Sequence, residues 1–211
     1  VSTQHPFAFS FRNATQSMSR DPRGILIAES FAWLLREGLV VPAPGIDDGW
    51  YVPSRSAGNL STRDQLLAYQ RAHLLPTVHL HSIISEATKG DFYRGLYDSA
   101  VFSAFRQVEI AVRNAAKLSP TIIGVDLMRK AFHEENGPLM NEAEPKPERH
   151  ALAALFAGAF GRFRNPTGHR SVGLDVHEAV DLISLASRLL HIVDERSSKN
   201  PSPSPTASTT G

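Results

Sequence analysis

Arg164-Asn165-Pro166-Thr167-Gly168-His169 sets an arginine, an amide and a histidine around a Pro/Gly break. A guanidinium can hold a phosphate through two parallel hydrogen bonds, and histidine titrates near neutral pH and can therefore move protons. RNA carries its own nucleophile, the 2′-hydroxyl beside each phosphodiester. These groups could cleave it without a metal. His169 could take the hydroxyl proton or give one to the departing 5′-oxygen, and Arg164 could hold the charge that builds on the phosphorane. Asn165 could orient either of them. With 17 Arg and 9 His among 211 residues, one fixed Arg–His spacing arises by chance roughly 0.7 times, so the case rests on where the motif sits.

Its position is favourable. Pro166 cannot continue a helical hydrogen-bond ladder and disfavours α geometry at Asn165, so the chain must turn there. Arg162 and Arg170 flank the pair as candidate RNA-binding residues. Four cationic or potentially cationic groups in so short a span, without nearby carboxylates, would depress the histidine pKa and attract an anion. The plainer alternative is a helix C-terminus whose basic residues suit the macrodipole, beside a surface histidine. Glu109 and Arg113 are four apart, the spacing of a helical ion pair worth about 0.2–0.5 kcal/mol when exposed. Inside a bundle, Glu109 could instead anchor Arg164.

Other chemistry is poorly supplied. There are no cysteines, so disulfides and thiolate metal sites are excluded, and a reducing, cytoplasmic setting is the expectation. His79 and His81 face different ways on a helix and make a poor metal pair. No Gly-rich phosphate loop follows a strand, and no Ser-His-Asp constellation stands out. Neither metal nor cofactor is therefore expected. Net charge is +1, so any anion site must be a local patch. No apolar run approaches the ~20 residues that span a bilayer, and no secretory signal pattern is visible.

The elements that must position the motif fall into two textures. An apolar share of 42% supports a core. Asp21-Pro22 reads as an N-cap and first helical residue, and a helix pattern uses Ile25, Ile27, Ala28, Phe31, Leu34 and Leu35 before Gly38 ends it. Leu39-Val40-Val41 and Trp50-Tyr51-Val52, joined by a Pro/Gly/Asp connection, predict a β-hairpin. Helix plus hairpin suggests a small α+β, winged-helix-like unit over 1–72. If it contacts DNA, Arg20, Arg23 and Arg36 are the phosphate contacts. Trp33, Trp50 and Tyr51 could stack on bases, although packing is the commoner fate of such residues. A short helix is expected to open at Ser61-Thr62-Arg63-Asp64.

From Pro76 long helices take over, giving a mainly α bundle over 76–196. The first spans about 77–88 and is broken at Lys89-Gly90-Asp91. A second runs to about 118 with Leu96, Ala100, Ala104, Val108, Ala111, Val112 and Ala115 inward. Residues 119–147 read as an insertion loop with a turn or two of helix at 125–132. A third helix over 148–163 turns Leu152, Leu155, Phe156, Ala159, Phe160 and Phe163 inward. A fourth starts near Asp175 and uses Ala179, Leu182, Ile183, Leu185, Ala186, Leu189, Leu190 and Val193. The Ser/Pro/Thr-rich tail 197–211 is expected to be disordered.

Residues 78–196 resemble the HEPN superfamily, in particular its prokaryotic Ymh-like branch. The landmarks are Leu80-His81-Ser82-Ile83-Ile84, Phe92 with Gly95-Leu96-Tyr97, and Ala104-Phe105-Arg106-Gln107-Val108-Glu109 with Val112-Arg113. They continue through Leu127-Met128-Arg129-Lys130-Ala131-Phe132, Leu155-Phe156-Ala157-Gly158-Ala159-Phe160-Gly161, Arg164-Asn165-Pro166 and Asp181-Leu182-Ile183-Ser184-Leu185-Ala186-Ser187. The HEPN signature is an arginine and a histidine separated by four to six residues, the first of which is often polar. Arg164, Asn165 and His169 match it. The resemblance implies a dimerising helical bundle acting as a metal-independent endoribonuclease, commonly a toxin or an abortive-infection effector, with an antitoxin as a possible partner. The alternative is a non-catalytic module that dimerises through its bundle and binds nucleic acid or a partner through its front half.

Overall fold

A computed structural model describes residues 9–10, 22–45, 49–164 and 172–199. The chain divides into two compact units between Leu67 and Ala68. In the first, α1 (Pro22–Arg36) begins on the proline, whose fixed φ suits a first helical position. It ends before Gly38, where φ is +65°. β2 (Val40–Pro42) and β3 (Trp50–Pro53) pair antiparallel, Val41 opposite Val52. A two-residue β1 (Phe9–Ser10) adds to the other side of β3. The expected helix and hairpin are therefore present. Phe31 meets Tyr51 edge to face at 4.8 Å, above buried Leu39, Val40 and Ala43. Of the expected apolar pattern of α1 only Phe31 is buried; Ile25, Ile27, Ala28 and Leu35 are exposed, together with Leu26. Tyr51 packs in this core, whereas Trp50 is exposed.

The short helix expected at 61–64 is α2 (Arg63–Ala72). A capping box opens it: Gln65 Oε1 accepts from the Ser61 and Thr62 N–H groups, and Thr62 Oγ1 accepts from Gln65 N.

The second unit is a helical bundle: α3 (Ser82–Arg94), α4 (Tyr97–Ala116), α5 (Gly124–Ala131), α6 (Lys146–Ala159) and α7 (Val176–Lys199). α4 is its axis and packs most heavily against α3 and α7. Ala100, Ala104, Val108 and Val112 are buried as the periodicity demands, but Leu96 is exposed and Val101, Phe105 and Ala116 complete the buried face. Phe132 stacks on Phe156 with centroids 3.9 Å apart. Each fully buried phenylalanine contributes about 1.5–3 kcal/mol.

Several boundaries differ from the sequence reading. α3 does not break at Lys89-Gly90-Asp91. It runs through Gly90 and stops at Gly95, whose φ of +79° favours glycine. A Cβ on Gly95 would also press on the Arg71 guanidinium, which donates to the Tyr93 carbonyl at 3.1 Å. The 119–147 segment is no mere insertion: its α5 buries Leu127, Met128 and Ala131, and Phe132 and Leu139 follow them into the core. Glu144 ties the segment to α7 by contacts of 2.6 and 2.7 Å from Arg196 Nη2. On α6, Leu155 is exposed rather than inward. α7 opens with a second capping box: Asp175 Oδ1 accepts from His177 and Glu178 N, and Glu178 Oε2 accepts from Asp175 N. It continues past the expected end at Arg196, through Ser197 and Ser198, whose hydroxyls donate back to Val193 and Asp194 carbonyls. The remaining expected disordered stretch, 200–211, lies outside the described residues.

Asp91 secures the α3–α4 corner. It accepts from the Ser99 hydroxyl at 2.6 Å and pairs with Arg94. The Ser99 hydrogen bond, and then Arg94, hold its carboxyl below the usual range. A depressed folded-state pKa contributes stability above the unfolded value of about 3.9 and loses it as pH falls through the folded one. Asp91→Asn should cost about 0.5–1 kcal/mol at neutral pH, given its partial exposure. Urea unfolding should show that gap closing as pH is lowered from about 4 downward.

Candidate functional site

Residues Phe102, Arg106, Glu109 and Arg113 follow one another at spacings of four, three and four, which puts them along one face of α4. Glu109 is buried, with 4% of its surface exposed. An isolated carboxylate there would cost several kcal/mol, so its partners matter. Arg113 Nη2 donates to Oε1 at 2.9 Å and also reaches the Ile122 carbonyl at 3.3 Å. The Gly124 N–H at the start of α5 donates to the same Oε1 at 3.3 Å. Arg164 Nη2 lies 2.9 Å from Oε2, as a charge contact without hydrogen-bond alignment. The two expectations for Glu109, pairing with Arg113 or anchoring Arg164, are thus both met by one carboxylate with two oxygens.

Arg164 reaches Glu109 because α6 does not end as an α-helix. Residues Phe160–Arg164 form a π turn, a feature frequent at functional sites because it rotates the following side chains. Phe160 stays in the core, edge to face with Phe105 at 5.6 Å. Arg164 is swung over the Phe102 ring, 5.5 Å from its centroid. Arg162 is exposed and lies over Phe163 at 5.8 Å. Asn165, His169 and Arg170 lie outside the described residues.

A second carboxylate of α4 holds the backbone of residues 172–174. Asp98 Oδ2 accepts from the backbone N–H groups of Val172 and Gly173 at 2.8 and 3.1 Å, and Oδ1 accepts from Leu174 at 3.1 Å. The segment between Arg164 and Val172 is therefore bounded at both ends by acidic side chains of one helix. Glu109 is the carboxylate that the sequence offers as an anchor for Arg164, whereas Asp98 is a second one that it does not reveal. Sequence reasoning also missed Phe102, Arg106 and Ile110, which line a cavity of about 270 Å³ with Glu109, Arg113 and Arg164. The helical spacing of Phe102, Arg106, Glu109 and Arg113 was the available signal.

A larger cavity, about 740 Å³, lies between α5 and α6, where small residues such as Ala153, Ala157 and Gly158 alternate with Arg129, His133, Glu134 and His150. At one end His150 meets Glu134 at 2.6 Å, and that hydrogen bond is the main reason the Glu134 carboxyl lies below its usual range. The smaller cavity is the better candidate for chemistry because its walls carry the concentrated charge. His81 is occupied in structure: its Nδ1 accepts from Ile83 N, and its Nε2 meets Asp194 at 2.8 Å. Among the described residues no group of three or more His, Cys, Asp or Glu could hold a metal, and no helix is long and apolar enough to cross a membrane. In the front unit Arg23 and Arg36 are exposed on α1, while Arg20 lies outside the described residues.

The model of a family of proteins of unknown function, Hypoth_Ymh, matches residues 78–193, more than half of the chain, which belongs to that family. The matched stretch takes in α3 to α6 and most of α7, and with them every residue of the Glu109 network. No curated protein and no solved structure matches the chain.

Removing the carboxylate from this network should leave two arginines facing each other with no anion between them. Glu109→Ala should destabilise the bundle by about 3 kcal/mol. Glu86→Ala, which removes an exposed pair with Lys89 on α3, should stay within about 0.5 kcal/mol. Equal midpoint shifts in urea unfolding of the two variants would contradict the assignment of Glu109 as the bundle's central polar tie.

Proposed function

We propose that this protein is a metal-independent endoribonuclease of the HEPN type, a toxin or abortive-infection effector acting on RNA inside the cell. The observation that carries the reading is the held guanidinium: Arg164, first residue of the Arg-Asn-x3-His signature, is fixed over Phe102 by buried Glu109 at the edge of a basic cavity. A pre-positioned guanidinium is what charge stabilisation of a phosphorane requires, because the side chain need not be reorganised during the reaction.

In the proposed reaction the 2′-oxygen attacks the adjacent phosphorus and the 5′-oxygen leaves. His169 takes the 2′-hydroxyl proton or protonates the 5′-oxygen, a contribution of about 10²–10⁴-fold for a well-placed acid or base. Arg164 stabilises the doubly charged phosphorane, and Asn165 orients one of the two. The products are a 2′,3′-cyclic phosphate and a 5′-hydroxyl. Arg162 and Arg170 extend the basic surface along the RNA. No step needs a metal, so chelators should leave cleavage intact. In this reading expression is toxic to the host, and an antitoxin is the natural counterpart.

Induced expression should slow growth, and purified protein should release 5′-hydroxyl RNA fragments in the presence of EDTA. His169→Ala and Arg164→Lys should each reduce cleavage at least 100-fold, with unfolding midpoints showing that both variants are folded. Toxicity equal to the parent in both variants would sink the catalytic assignment. Growth unaffected by the parent, with duplex DNA bound in a salt-dependent way, would instead favour the non-catalytic reading of the front unit.

The reading extends to a homodimer with a shared site. One Arg164–His169 pair supplies one acid or one base, whereas transesterification benefits from both, and a two-fold axis doubles each group. Mixed dimers of Arg164→Ala and His169→Ala subunits should regain part of the activity, because the shared site of the hybrid retains one Arg164 and one His169. A monomeric mass together with full activity would rule out the shared site.

A further inference from the structure

Arg106 stands apart from the other two arginines of the Glu109 cavity. Arg113 and Arg164 both face the Glu109 carboxylate. Arg106 is exposed at the cavity's lip, and among the described residues no carboxylate pairs with it. Three guanidiniums against one carboxylate leave the cavity with two net positive charges. Glu109 offsets one positive charge at the floor, and Arg106 adds at the lip a guanidinium whose fork presents five N–H groups suited to a phosphate.

We propose that this cavity is the seat of one phosphodiester of single-stranded RNA, and that Arg106 is the residue that grips it. The proposal rests on the RNA-directed reading above and adds a binding residue that the Arg-Asn-x3-His signature does not contain. The size fits. A volume of about 270 Å³ falls just below the range of about 300–1,000 Å³ of sites that enclose a whole drug-sized ligand, and suits a phosphate with its attached ribose. The walls fit as well. Phe102, with Arg164 across its ring, and Ile110 form an apolar flank beside the charge. Unpaired nucleotides present such a pairing of anionic backbone and apolar face, whereas duplex RNA keeps its base faces stacked away. The position fits the reaction too: Arg106 and Arg164 line the same small cavity, so a phosphate gripped by the first lies beside the second.

The test uses the full chain and a short 2′-O-methyl oligoribonucleotide, which has no 2′-hydroxyl and cannot be cleaved by the proposed route. Fluorescence anisotropy across a KCl series gives affinity and its salt dependence. Arg106→Gln should weaken binding about tenfold and reduce the slope of log K against log salt by about 0.7, the contribution of one phosphate contact on a single strand. Arg106→Lys should restore the slope, because the charge returns, but not the full affinity, because the fork does not. Arg188→Gln, a change at an exposed arginine on α7 paired with Glu195, should stay within twofold of the parent and reports the general effect of losing one charge. Since Arg106 is exposed, unchanged melting of the variants should accompany the binding loss.

Unchanged affinity and slope in Arg106→Gln overturn the proposal, as does a loss no larger than that of Arg188→Gln or a parent that does not bind the oligonucleotide. Cleavage of all-ribose RNA is scored separately. A parent that binds with the expected Arg106 dependence but does not cleave removes the ribonuclease reading and leaves the phosphate seat standing.

Discussion

A carboxylate in the middle of a helical bundle must be neutralised where it lies, and Glu109 is neutralised by groups from three separate stretches of chain. Arg113 comes from its own helix, the Gly124 N–H from the start of α5, and Arg164 from the turn after α6. Those last two stretches have little local reason to meet α4. The penalty of an unpaired buried charge, several kcal/mol, makes any arrangement that separates them unfavourable. One residue thus fixes the start of α5, the end of α6 and the direction of Arg164 together. Apolar packing alone tolerates small slides between helices. A charge contact at 2.9 Å does not.

The same helix also carries Asp98, three turns earlier, which collects the three N–H groups of residues 172–174. A carboxylate that accepts several backbone donors is a strong local clamp, because each bond is charge-assisted. The two acids act on opposite ends of the segment that holds the signature. α4 is therefore both the axis of the core and the ruler against which the motif is measured. Its apolar face holds the bundle, and its polar edge fixes Arg164 and the backbone of residues 172–174.

Local charge, rather than the field of the whole molecule, organises the site. A net charge of +1 gives no long-range attraction for a polyanion, so specificity for one must come from a concentrated patch. Three arginines around one small cavity form such a patch, and burial of Glu109 beneath them lowers the cost of holding like charges so close. The larger, mostly apolar cavity between α5 and α6 shows the contrast: more room, with Arg129, His133, Glu134 and His150 spread among small apolar residues.

Much of the architecture was legible in the sequence. The inward positions of α4 and α7, the proline that opens α1 and the hairpin that follows it are consequences of side-chain periodicity and backbone stereochemistry, which act between neighbours in the chain. Asp175 and Glu178, or Thr62 and Gln65, cap their helices by contacts no longer than one turn. The boundaries read wrongly were those set by distant partners. Gly90 stays helical because nothing opposes it, while Gly95 ends the helix at a corner held by Asp91 and Ser99. The 119–147 stretch looks like an insertion from its Pro, Gly and acidic content, yet its few apolar residues are drawn into the core where Phe156 meets them. The chemistry divides in the same way. Arg164, Asn165 and His169 are recognisable as a string, since their spacing is a property of the string. That Arg164 is held by Glu109 over Phe102, with Arg106 lining the same cavity, depends on a π turn and on the packing of α4 against α5 and α6. Residues 55 positions apart meet only through the tertiary fold, because the energy that pairs them is the cost of leaving a buried charge alone.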